Sequence, residues 1–124
     1  MSFTDSKSTI EDLKEIVKNF RDKRRWLKYH NPKDLAISIS IEASELLELF
    51  QWRNSISARE AKRYKKLMAG IRDEIADILI YTLSFSDILD IDLSKVVHDK
   101  IKRNERRFPA KKWREKSDEY LGYR

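Results

Sequence analysis

An all-α fold is predicted by three observations. The chain of 124 residues holds only two Gly and two Pro, and 39% of it is charged. That composition suits long helices and disfavours an all-β fold. Apolar residues recur at helical spacing in four segments. A helix-start signal stands before each of them.

The elements follow in order. Ser8-Thr9-Ile10-Glu11 reads as a capping box opening a first helix that runs to about Arg25, with Leu13, Ile16, Val17 and Phe20 as its apolar stripe. Trp26 to His30 reads as a connector. Asn31-Pro32 supplies an N-cap and a first-turn proline for a second helix reaching about Trp52. Ser57-Ala58-Arg59-Glu60 is another capping box, so a third helix is expected from 58 to about Leu89. Gly70 interrupts it and marks a kink or a close contact. Asp92 caps a fourth helix to about Arg107, with Val96, Val97 and Ile101 inward, and Pro109 stops it. Residues 110–124 are basic and aromatic without a clear period and read as a tail. The expected organisation is therefore one domain over 1–109, a four-helix bundle, followed by a basic C-terminal tail at 110–124.

Two of these helices carry the same acidic signature. Glu42-Ala43-Ser44-Glu45 recurs as Glu74-Ile75-Ala76-Asp77, 32 residues later. An α-helix advances roughly 100° per residue. With Ile39 at zero, Leu35, Ala43, Leu46 and Phe50 form a stripe, Glu42 falls at about −60° and Glu45 at about −120°. With Ile71 at zero, Leu67, Ile75, Ile78, Thr82 and Phe85 form the matching stripe. Glu74 and Asp77 then take the same two offsets. Each helix thus places one acid inside the edge of its apolar face and another just outside. A carboxylate beside apolar packing must be neutralised, paired or bound to a metal. The plain alternative is a set of boundary acids paired with Lys or Arg. The repeat in register leaves a metal site and ion pairing evenly matched; for a metal, all-oxygen ligation suits Mg²⁺ or Mn²⁺ rather than zinc. Short connections make the second and third helices antiparallel neighbours, which brings the acidic pairs together.

Composition narrows the rest. There is no cysteine, so neither a disulfide framework nor a thiolate metal site is possible. No signal-peptide pattern opens the sequence, and no apolar run approaches the roughly 18 residues of a membrane span, so a cytoplasmic protein is expected. The net charge is +6. A basic surface can bind nucleic acid, guide a polyphosphate ligand, or simply be solvated. No zinc-finger, glycine-loop or RNP-like signature supports nucleic acid. The apolar stripes exceed what a small bundle needs, so self-association as a homodimer or homotetramer is expected, buried through the second and third helices.

From Ile10 to Pro109 the chain resembles the all-α nucleoside triphosphate pyrophosphohydrolases, the MazG-like superfamily, and within it the dCTP pyrophosphatase branch. The resemblance rests on an ordered set. Trp26 and His30 precede Asn31-Pro32; Glu42-x-x-Glu45 leads into Glu48-Leu49-Phe50-Gln51-Trp52; Glu74-x-x-Asp77 leads into Ile78-Leu79-Ile80-Tyr81. Lys100, Asn104, Arg107 and Pro109 close it. The resemblance implies hydrolysis of a (deoxy)nucleoside triphosphate, dCTP or a related one, to the monophosphate and pyrophosphate. It implies Mg²⁺, with Mn²⁺ possible, held by Glu42, Glu45, Glu74 and Asp77. Glu45, aided by Glu42, is the expected catalytic carboxylate because its offset leaves it nearer solvent. Lys100 and Arg107 would neutralise phosphate charge and Asn104 would meet a base or sugar. Trp26, Trp52 and Tyr81 are candidate stacking groups, and His30 a candidate nucleotide contact. Trp113 lies outside the matched segment and reads as packing. Two positions depart from the branch: Val17 stands where a base-pocket histidine is expected, and the 53–56 loop is shorter. The alternative function is a non-catalytic basic bundle that docks nucleic acid or a protein partner.

Overall fold

Helix α1 (Ile10–Lys23) opens one residue later than expected in the computed structural model, which describes residues 2–119. Thr9, not Ser8, is the N-cap. Its hydroxyl accepts from the Asp12 amide, and Asp12 accepts in return from the Thr9 amide at 2.9 Å, so the capping box is Thr9–Asp12. The shift leaves the stripe in place. Beyond α1, a short 3₁₀ turn (Leu27–Tyr29) leads to α2 (Pro32–Glu48), capped by Asn31 with Pro32 in its first turn. Then come α3 (Ala58–Ala61), α4 (Lys65–Ile88), α5 (Leu93–Arg107) and α6 (Ala110–Glu119). All regular structure among the described residues is helical.

Three boundaries differ from the sequence expectation. Helix α2 stops at Glu48, and Leu49 to Arg53 continue as tight turns with i→i−3 hydrogen bonds. The third helix is two: it breaks at 62–64 rather than at Gly70. The break falls in the basic run Arg59, Lys62, Arg63, Lys65, Lys66, where like charges crowd one turn. Positive side chains also meet the unfavourable end of α4's dipole there. Residues 110–119 form a helix, although their apolar residues lack a clear period. Phe108 and Trp113 brace its start edge to face, with centroids 5.2 Å apart.

The described residues fall into two compact units, one ending at Ile91 and the other beginning at Asp92. In the first, α2 packs along α4 and α1 packs more lightly on α4. Leu35 of α2 and Leu67 and Leu83 of α4 are its buried hydrophobic side chains among the described residues. Gly70 sits in mid-helix as a close contact and not a kink. A Cβ there would meet Leu49 Cδ2 at 3.1 Å and Cδ1 at 3.2 Å. With Gly70 opposite Leu49 in an antiparallel pair, helical rise brings Glu74 level with Glu45 and Asp77 level with Glu42. Thr82 and Ser86 hide their hydroxyls by donating to the Ile78 and Thr82 carbonyls, which lets polar residues enter the core side of α4.

Arg21 is a buried residue that the apolar stripe of the first helix did not include. Its side chain is only 6% exposed and is held by Asp22 at 2.8 Å and by Asp87 of α4 at 3.2 Å. Its carbonyl accepts the Trp26 amide, and Arg25 lies in the left-handed region at φ 55°, closing α1 in a Schellman-type end. Arg21→Ala should therefore cost about 2–4 kcal/mol, because it leaves Asp87 without its cation. Arg21→Lys should recover only part, since one ammonium cannot serve both carboxylates as a fork does. Urea unfolding of the two variants measures this.

In the second unit, Asp92 caps α5 by accepting the Lys95 amide at 3.0 Å, as expected. Val96, Val97 and Ile101, expected inward, are 44%, 58% and 53% exposed. Their spacing gives a stripe, but periodicity alone does not say what covers it.

Candidate functional site

Helices α2 and α4 carry the acids, and their register sets the site. One carboxylate oxygen from each of Glu42, Glu45 and Glu74 lies within 4.8 Å of the others. Asp77 is outside this trio, one turn along α4, but its charge acts on both Glu42 and Glu74. Glu45 is the exposed member and Glu42 and Glu74 are half-buried, as their angular offsets predict. Asp77, expected just outside the apolar edge, is also half-buried.

The acids are not neutralised by the protein. Among the described residues the ion pairs join Arg21, Lys95 and His98 to Asp22, Asp87 and Asp99, and none reaches this cluster. Glu42 Oε2 and Glu74 Oε2 are buried without a hydrogen-bond partner. Burial, then the neighbouring Glu74 and Glu45 carboxyls and the Asp77 charge, push the Glu42 carboxyl up to about 7. Burial and the charges of Glu45 and Asp77 also raise Glu74. Orphaned buried acceptors and mutual repulsion are what a hard divalent cation relieves, and the all-oxygen donor set fits one.

The raised Glu42 has a measurable consequence. Between its ordinary value near 4.5 and about 7, the folded protein holds a proton that the unfolded chain has released. Its contribution to stability is therefore fully present below that window and is lost as pH rises through it. Metal-free protein should melt higher near pH 5 than near pH 8 from this source. Glu42→Gln should flatten that difference, read as melting temperature in EDTA.

One helical turn from the acids lies a pocket of about 260 Å³. Trp26, Tyr29 and His30 of the connector form one wall, α2 supplies Asp34, Leu35 and Ser38, and Tyr81 comes from α4. The Schellman end of α1 positions Trp26, whose ring meets Phe20 edge to face with centroids 5.9 Å apart. His30 Nδ1 is buried without a partner. Burial first, and Arg21 second, hold its imidazole below the usual range, which favours the neutral ring. Three of the expected nucleotide contacts, Trp26, His30 and Tyr81, thus come together. Tyr29, Asp34 and Ser38 were not anticipated. A signal existed for two of them: Asp34, Ser38 and Glu42 are spaced i, i+4, i+8 on one face of α2.

The remaining candidates are not among the residues that line this pocket. Trp52, in the turn beyond α2, is 89% exposed and does not line it. Lys100, Asn104 and Arg107 belong to the second unit, at i, i+4, i+7 on one face of α5. Glu48 is exposed. Trp113 packs on Phe108, as its place outside the motif suggested.

A half-buried carboxylate cluster between two antiparallel helices, beside an aromatic pocket, is the site of a metal-using helical hydrolase more readily than of a docking module. Comparison with known proteins supports a hydrolase of the pyrophosphatase type. The MazG-like family model matches residues 37–121, and the chain belongs to the MazG-like family. It is 31% identical to human dCTP pyrophosphatase 1 over 112 residues, covering 90% of this chain and 66% of the relative. The rat protein of the same name is 30% identical over 102 residues, covering 82% and 60%. The chain therefore spans about two thirds or less of the length of these curated relatives. A crystal structure of a pyrophosphatase from Archaeoglobus fulgidus matches with a TM-score of 0.74 and 44% identity, covering 87% of this chain and 99% of that one. The all-α pyrophosphatase fold expected from the sequence is thus the fold observed. Among the described residues no helix is long and apolar enough to cross a membrane.

Proposed function

We propose that this protein is a Mg²⁺-dependent pyrophosphohydrolase that converts a (deoxy)nucleoside triphosphate, dCTP or a related one, to the monophosphate and pyrophosphate. The observation that carries this reading is the unpaired carboxylate cluster one turn from an aromatic pocket. The names of the matched relatives support it. Glu42, Glu45, Glu74 and Asp77 would hold the metal. Bound there, a divalent cation supplies positive charge to phosphate oxygens and acidifies an attacking water. Glu45 would accept that water's proton, a role its exposure supports. Trp26 and Tyr81 offer ring faces to a base, and neutral His30 offers an acceptor or donor beside them. Lys100 and Arg107 would meet phosphate charge and Asn104 a sugar or base edge. The catalytic domain would span 1–109, in a cytoplasmic setting where nucleotide pools lie.

The test is a panel of canonical NTPs and dNTPs with Mg²⁺, resolving monophosphate and pyrophosphate from diphosphate and phosphate. Release of orthophosphate, or no turnover of any triphosphate, would sink the reading.

The same proposal includes self-association. Ile37, Ile41 and Leu47 of α2 and Ile75, Leu79 and Ile80 of α4 are all more than two-fifths exposed. A homodimer or homotetramer burying these flanks is the expected state. Sedimentation equilibrium showing a monomer at micromolar concentration would contradict it.

A further inference from the structure

The pocket beside the acids holds more polar chemistry than stacking requires. Asp34, Ser38 and Glu42 follow one another at single-turn intervals on α2. At 1.5 Å rise per residue, Ser38 lies about 6 Å along the helix from Glu42, and Asp34 about 12 Å. A ligand whose phosphates lie at the acids and whose ring lies against Trp26 therefore presents the edge of that ring to Asp34 and Ser38. Asp34 is held in place: its Oδ2 accepts from Asn31 Nδ2 at 2.7 Å, and its amide donates to Asn31 Oδ1 at 2.9 Å. Oδ1 of Asp34 makes no hydrogen bond among the described residues. Asp34 is exposed and lines the same cavity as Trp26, Tyr29 and His30, whose Nδ1 is unpartnered.

A carboxylate accepts and, when ionised, cannot donate. Nucleobases differ in what they offer it. Cytosine and adenine carry an exocyclic amino donor, whereas uracil and thymine carry a carbonyl oxygen at the corresponding place. The first meets a carboxylate favourably and the second is repelled by it. Ser38 can donate to a ring nitrogen beside the amino group. Val17 offers no such chemistry from α1.

We propose that Asp34 is a specificity-determining residue, accepting from the exocyclic amino group of a nucleobase and, with Ser38, setting a preference for amino-bearing bases. This rests on the base-pocket reading above but not on turnover. The cleanest probe is therefore binding of dCMP and dUMP, which differ at that edge alone, followed by calorimetry and by tryptophan emission without metal. Wild type should favour dCMP by about tenfold, the worth of roughly one good polar contact. Asp34→Asn and Asp34→Ala should bring the ratio to within about threefold of unity, with far-UV circular dichroism unchanged because Asn31 still caps α2. A wild-type ratio near one, an unchanged ratio in both variants, or no binding of either monophosphate overturns the proposal. A retained ratio in a protein that releases no pyrophosphate from any triphosphate defeats the hydrolase reading and leaves this one standing.

Discussion

Glu45→Ala and Asp77→Ala should each lose nearly all turnover, on the order of a thousandfold or more, while remaining folded. Each removes one oxygen donor from a set that has no spare cation, so the remaining carboxylates would bind metal more weakly and in altered geometry. The effect on stability should run the other way. Without metal, Glu42 and Glu74 are raised by burial and by the charges of Glu45 and Asp77. Removing either charge relieves repulsion, so the metal-free melting temperature should hold or rise. Added Mg²⁺ should then raise the melting temperature of wild type more than that of the variants. The pairing of lost activity with undiminished stability separates a metal site from a structural salt-bridge network, whose disruption would lower both. A folded Glu45→Ala protein turning over at wild-type rate would remove these acids from the mechanism.

The second large effect concerns the aromatic residues. Stacking of a base on an aromatic side chain contributes on the order of 1–3 kcal/mol. Trp26→Ala should weaken nucleotide affinity by roughly one to two powers of ten, since about 1.4 kcal/mol is tenfold. Trp52 makes a sharper test. It stands 89% exposed outside the Trp26 pocket, so the single chain offers it no base to stack on. If Trp52→Ala costs as much as Trp26→Ala, the complete pocket requires Trp52 to be brought to it. If affinity is unchanged, Trp52 is a packing or surface residue. Titration with a non-hydrolysable dCTP analogue and Mg²⁺ distinguishes the two, and Trp113 should contribute little to any change in emission.

The acids were legible in the sequence because two helices repeat them at the same angular offset, and angle survives folding when the helix is regular. The pairing of α2 with α4 was expected from a short 53–56 connection, whereas residues 49–64, with α3 among them, join the two helices, and the contact of Gly70 with Leu49 that fixes their register is seen only in the structure. What was not legible depended on chain direction between helices. Tyr29 enters the pocket because α1 ends with Arg25 at φ 55° and turns the connector back, a conformation that an arginine does not announce. Arg21 was hidden for the same kind of reason, since its burial depends on Asp87, 66 positions away. The stop at Glu48 and the break at 62–64 are end effects, where hydrogen bonding of a few residues decides and apolar spacing is silent.

The small number of buried side chains in the first unit has a consequence in mass action. Among the described residues only Leu35, Leu67 and Leu83 are buried hydrophobic residues there, while the flanks of α2 and α4 stay open to water. If a second copy covers those flanks, part of the free energy that holds α2 against α4 is bimolecular. Each tenfold dilution then removes about 1.4 kcal/mol per mole of dimer from the folded state. The carboxylate cluster spans those same two helices, so affinity for a metal held there would fall with protein concentration even though the proposed ligands all belong to one chain.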